Sequence, residues 1–216
     1  PLELPWLGPS HALPLDGGGA LLTPAADDCA PRPSVVWRRG RLRDGPELPP
    51  ELGRDPAWSR REGPTFIIGR ASECGAAAWG VLWSDEGGAV RLERASDPID
   101  APPGARVRAL GERRAVVAGG AATPPARTVT LLNAVDLTAR VVGALDRARV
   151  DGLVAPLGSD RVAVIGGRAR ADTATASADA SVFSLSSGAV VGGLPIPEAR
   201  AGGAASLLLV TYCAIT

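Results

Sequence analysis

The sequence predicts an all-β fold assembled from repeated small sheets, and three observations point there. Glycine (27) and proline (20) punctuate a chain of 216 residues of which 45% are apolar, a composition that suits short strands joined by tight turns. Few windows of about twelve residues escape Gly or Pro, which denies most helices the length they need. Short apolar runs that stop on glycine also recur at a near-constant spacing.

That spacing carries the most weight. ALGERRAVVAGG (109–120) lies over PLGSDRVAVIGG (156–167) with Leu110 on Leu157, Gly111 on Gly158, Val117 on Val164 and Gly119-Gly120 on Gly166-Gly167, all 47 residues apart. The same frame reaches back to GPTFIIGR (63–70) and LDGGGALLTP (15–24), with successive spacings of 45, 50 and 47. Each copy reads as a hairpin: a strand, a polar turn, then an apolar strand. A second hairpin follows each one, in SVVWRRGRLRDGPELP (34–49), WGVLWSDEGGAVRLER (79–94), TVTLLNAVDLTARVVGAL (128–145) and ASVFSLSSGAVVGGLPIP (180–197). Four strands in every forty to fifty residues is the pattern of a β-propeller blade, a sheet too small to bury its own faces.

About four four-stranded blades are expected within one domain over 1–216, as repeats near 10–53, 54–104, 105–150 and 151–200. Residues 1–9 and 201–216 read as partial blades. Both ends fall mid-repeat, so an open arc is expected over a small closed ring. Pro1 and the absence of methionine are read as a processed chain or a fragment.

VAVIGG, the SLSSGAVV turn and LPIPEARAGGAASLL (194–208) together resemble the kelch repeat, which ends its second strand on a glycine pair. The resemblance is specific in 105–150 and 151–200 and weaker before them. It departs from the pattern at Thr23-Pro24 and Gly69-Arg70, where the pair is reduced. Val141 or Val191 stands where the family has tryptophan, and Tyr212 is the single tyrosine. The glycine pairs read as structural, because glycine reaches positive φ and lets backbone approach closely. A phosphate cradle would need a following helix, which RARADTATASADA (168–180) does not offer.

The resemblance implies a partner surface on the loops after each pair and on the links between blades. Those loops carry Asp27, Asp28, Arg70, Glu73, Arg168, Arg170 and Asp172, and Arg149 and Arg200 fall at matching link positions 51 apart. Arginine suits carboxylate or phosphate through its planar fork, although loops collect charge in any case. Cys29 and Cys74 each lie five residues after the reduced pairs, at the same repeat position. They would bridge neighbouring blades if their Cα atoms came within about 7 Å; otherwise they are unrelated loop residues. A bridge would imply an oxidising compartment, extracellular or periplasmic, and would leave Cys213 odd.

Formal charge is zero and every basic residue except His11 is arginine, so no attraction to nucleic acid is expected. No apolar run approaches the ~20 residues of a membrane span. Copper oxidases of similar architecture need two histidines and two tyrosines, and this chain has His11 and Tyr212 alone. His11 with Cys29, Cys74 and Cys213 lacks zinc spacing, and no nucleophile elbow supports a triad. No metal or cofactor is expected. WSDEGGAV (83–90) partly resembles the aspartate box of sialidase-type propellers and reads as a turn. The expected function is non-catalytic binding of a protein or carbohydrate on a loop rim. The alternative is a sugar-processing enzyme like the kelch-fold sialic acid mutarotase.

Overall fold

The computed structural model describes residues 4–6, 8–25, 28–53, 56–69, 72–85, 87–121, 126–199 and 201. The first sheet runs β1 (Ser10–Pro14), β2 (Ala20–Pro24), β3 (Val35–Arg38) and β4 (Arg41–Asp44), each strand antiparallel to the last. A one-turn helix, α1 (Pro50–Gly53), precedes the second sheet: β5 (Ala57–Ser59), β6 (Thr65–Gly69), β7 (Ala78–Ser84) and β8 (Val90–Arg94). The third holds β9 (Arg106–Ala109), β10 (Arg114–Ala118), β11 (Thr128–Asn133) and β12 (Thr138–Ala144). The fourth holds β13 (Leu153–Leu157), β14 (Arg161–Ile165), β15 (Asp179–Ser184) and β16 (Ala189–Pro195). Consecutive strands are neighbours throughout, so every sheet is a four-stranded meander of the kind that forms a propeller blade.

The chain forms two compact units. One comprises 1–100, 109–115 and 132–139; the other comprises 101–108, 116–131 and 140–216. In the first unit Leu13, Leu21 and Val36 of the first sheet cluster with Ile67, Ala78 and Leu82 of the second, joined by Leu48 and Leu52 from the link. Neither sheet could bury these residues alone, and each fully buried leucine is worth about 1.5–3 kcal/mol. In the second unit Ala163, Ile165 and Ala180 form an apolar face with half-buried Leu153, Ala155, Leu157 and Ile196 against it. Val141 and Val191, at the expected tryptophan positions, are exposed.

Turn chemistry explains the hairpins. β3 and β4 are joined by Arg39 and Gly40 at φ 50° and 75°, the mirror-image turn that matches strand twist. The glycines of both pairs also adopt positive φ. At Gly119 the need is double, because a Cβ there would lie 2.2 Å from the Arg149 carbonyl oxygen. Gly69, the surviving half of a reduced pair, has an ordinary φ yet cannot accept a side chain: its Cβ would lie 1.4 Å from the Glu51 carbonyl oxygen. The glycines are therefore fixed by backbone packing, as the sequence implied.

Candidate functional site

The loops that follow β2 and β6 emerge side by side. Cys29 and Cys74 form a disulfide across them, with Cα atoms 5.1 Å apart. Asp28 pairs with the buried Arg32, whose backbone bridges Leu48 and so ties this loop to the link before α1. Glu73 is exposed beside Ser72, whose hydroxyl accepts from the Cys74 amide at 3.2 Å. Asp27, Arg70, Arg200, Tyr212 and Cys213 lie outside the described residues, as do 202–216 of the expected partial blade.

In the second unit the expected rim residues divide. Arg170 and Asp172 form an exposed two-pronged pair at 3.0 and 2.9 Å. Arg168 donates to the Ala171 carbonyl at 2.9 Å and to Asp151 at 2.5 Å. Asp151 also accepts from Arg106, at 3.1 Å. Arg149 departs from the rim expectation, because its side chain is 1% exposed. It donates to the Gly166 carbonyl at 2.7 Å, to Asp179 at 3.0 Å and to the Ser181 hydroxyl at 2.8 Å. Its own carbonyl accepts from the Gly120 amide. One arginine thus fastens both glycine pairs, and its fork is occupied inside the protein.

Three carboxylates sit below the ordinary value of 3.8. The Ser184 and Ser186 hydroxyls hold Asp160 down across the β13–β14 and β15–β16 turns. Burial pushes Asp146 up, but the Ser181 hydroxyl and the charges of Arg149 and Arg147 outweigh it. The Thr138 hydroxyl lowers Asp136 within its own turn. All three serve turns or buried networks. Among the described residues no three His, Cys, Asp or Glu side chains are placed to hold a metal. In the aspartate-box-like segment, Asp85 caps its own turn, accepting from the Ala89 amide at 2.8 Å.

A further feature lies in the first unit. A groove of about 720 Å³ lies between the first two sheets, lined by Asp16 and Gly17, by Val36, Arg38, Arg39, Arg41 and Arg43, and by Ser84, Asp85, Gly87 and Gly88. Strand register explains the arginines: Val36 opposes Arg43 and Arg38 opposes Arg41, so these four share one face of the hairpin. Arg38 is fastened by the carbonyls of Gly18 at 2.9 Å, Asp85 at 3.3 Å and Asp16. Arg43 makes a single long bond to the Gly87 carbonyl, at 3.3 Å. The Arg39 and Arg41 side chains make no hydrogen bond or ion pair among the described residues. The basic run RRGR at 38–41 was the signal in the sequence, but without register its members could not be assigned to one face. A second cleft of about 410 Å³ in the same unit is lined by Trp83, Arg91, Glu93, Glu112, Arg113 and neighbours. Glu93 there accepts from the Trp83 indole at 2.7 Å and pairs with Arg91 at 3.0 Å.

These sheets define an all-β, propeller-like protein. The solved structure of YjhT shares the fold, with a TM-score of 0.54 and 10% identity over 89% of this chain. The chain spans 66% of that neighbour's length, just under two thirds. At this identity the likeness is one of fold. No protein-family model and no curated protein matches the sequence.

Proposed function

We propose that the chain is a non-catalytic binding module of kelch type, which presents the turns and loops of its blades to a protein or carbohydrate ligand. The arginine groove supports this reading most directly: its Arg39 and Arg41 guanidinium groups make no hydrogen bond or ion pair among the described residues, where Arg149, Arg168 and Arg170 are already paired. Unspent forks on a fixed scaffold suit recognition of carboxylate or phosphate. The Cys29–Cys74 bridge supports work in an oxidising compartment, extracellular or periplasmic. No helix among the described residues is long and apolar enough to cross a membrane.

The test is an array of charged and neutral glycans and peptides probed with the wild type and with Arg41→Glu/Arg43→Glu. Saturable binding that the double variant loses supports the module; absence of any retained ligand overturns it. The rim reading, with Arg70, Glu73, Arg168, Arg170, Asp172 and Arg200 in contact with a partner, makes a separate prediction. Charge reversal of Arg168 and Arg200 would then abolish capture, and unchanged capture would exclude that surface.

The second cleft favours the alternative, a sugar-processing enzyme on the same scaffold. Trp83 lines the cleft together with Glu93, Glu112, Arg91 and Arg113. The likeness to YjhT supports a propeller scaffold, which both readings share. Exchange NMR on the anomers of a reducing acidic sugar decides between them. Accelerated interconversion that Glu93→Gln and Glu112→Gln abolish would establish catalysis, and an uncatalysed rate would dismiss it.

A further inference from the structure

We propose that the arginine groove holds an extended acidic peptide, whose carboxylates at alternate positions meet Arg41 and Arg43. This rests on the binding-module reading and narrows its ligand. Arg41 and Arg43 are two residues apart on β4 and line the same groove. Strand geometry separates such side chains by about 6.8 Å, which is also the spacing of alternate side chains in an extended peptide. Matched periods let several carboxylates engage without bending either backbone.

Among the described residues, the groove's acids do not ion-pair with its arginines. Asp16 pairs with Arg60 and accepts from the Gly17 amide, and Asp85 accepts from Ala89. Arg38 is held rigidly as a cationic floor beneath Arg41, its partner across the hairpin. Arg39 and Arg41 therefore stand in the groove with no ion-pair partner among the described residues, an arrangement that an incoming anion relieves.

Shape narrows the class of ligand. Among the described residues no aromatic ring lines the groove, so a sugar has no face there on which to stack. At about 720 Å³ the groove is far larger than a lone ion requires. β4 is also the last strand of its sheet, so its outer edge is unpaired within that sheet. Arginines on such an edge repel copies of the same strand, while an acidic strand meets complementary charge and open backbone groups.

The experiment is fluorescence anisotropy on the whole chain with three labelled peptides: alternating Glu-Ser, a block peptide of identical composition, and alternating Lys-Ser. The alternating acidic peptide should bind best, about fivefold or more above the block form, and weaken as salt rises. Arg41→Glu/Arg43→Glu should lower its affinity at least tenfold, and Arg140→Glu, an exposed position on β12, should leave it unchanged. Circular dichroism melts confirm that the variants fold, and Arg39→Ala at the hairpin tip supplies a milder second variant. Equal binding of the block and alternating peptides would overturn the proposal, as would full affinity in the charge-reversed protein or full competition by inorganic phosphate alone. A wild type that ignores acidic peptides but loses a glycan on charge reversal would sink this inference and leave the module reading standing. A wild type that binds none of the peptides and no glycan would sink both.

Discussion

After its second strand each sheet must redirect the chain into a loop, and the two ends of the sequence meet this need with different chemistry. In the first two sheets Thr23-Pro24 and Gly69-Arg70 stand where the later sheets have a glycine pair, and the loops beyond are joined by Cys29–Cys74. The third and fourth sheets keep both glycines, and the buried Arg149 binds the backbone of each pair. A covalent bond limits the unfolded chain, whereas a buried arginine must replace its lost hydration with hydrogen bonds in the folded one.

The largest effect tests the intact pairs. Gly119→Ala combines positive φ with a 2.2 Å approach to backbone, and should cost about 5 kcal/mol or prevent folding. Gly158→Ala, at φ +77° with open space around it, should cost only about 1 kcal/mol. Denaturant midpoints of the two variants check this, and equal costs would remove backbone crowding from the account.

Next comes the bridge. Cys29→Ser/Cys74→Ser releases a separation of 45 residues, which the loop-entropy model values at about 4 kcal/mol. The loss should fall on the first unit, read by hydrogen exchange of β3 and β6 against β14. Uniform loss would contradict a division of labour between the ends.

Arg149→Ala should cost about 3 kcal/mol, because it strands the Gly166 carbonyl in the interior and takes from Ser181 the donor that its hydroxyl accepts, leaving only the bond to Asp146. Its effect should appear in β14 and β15 and spare the disulfide region.

The smallest effect is acid sensitivity. Asp160 has a lowered folded-state pKa, so its contribution is complete above the unfolded value near 3.8 and is lost as pH falls through the lower folded one. Asp160→Asn should therefore flatten the decline in melting temperature below about pH 4. An unchanged slope would show that the Ser184 and Ser186 contacts contribute nothing.

Architecture was more legible than the site. Glycine pairs and alternating apolar runs are local signals, and they placed the hairpins at RAVVA and RVAVI within a residue of their strands. The shared repeat position of Cys29 and Cys74 left a bridge and two unrelated loop residues both open, and the structure joins them. Arg149 was read from its link position as a rim residue, yet burial depends on neighbours that are distant in sequence. The groove was missed for a related reason. Arg41 and Arg43 become one cationic wall only once β7 and β8 bring their turn opposite.

The bridge between Cys29 and Cys74 also closes a ring that contains β3, β4, α1, β5 and β6. A chain pulled from its ends could not pay out the enclosed 45 residues, so its full extension would fall short by roughly 150 Å until a reductant was added. A single protease cut inside the ring would leave both fragments tethered, migrating as one species until the thiols are freed. Mechanical and proteolytic integrity in this half of the molecule would then follow the redox state of the surroundings.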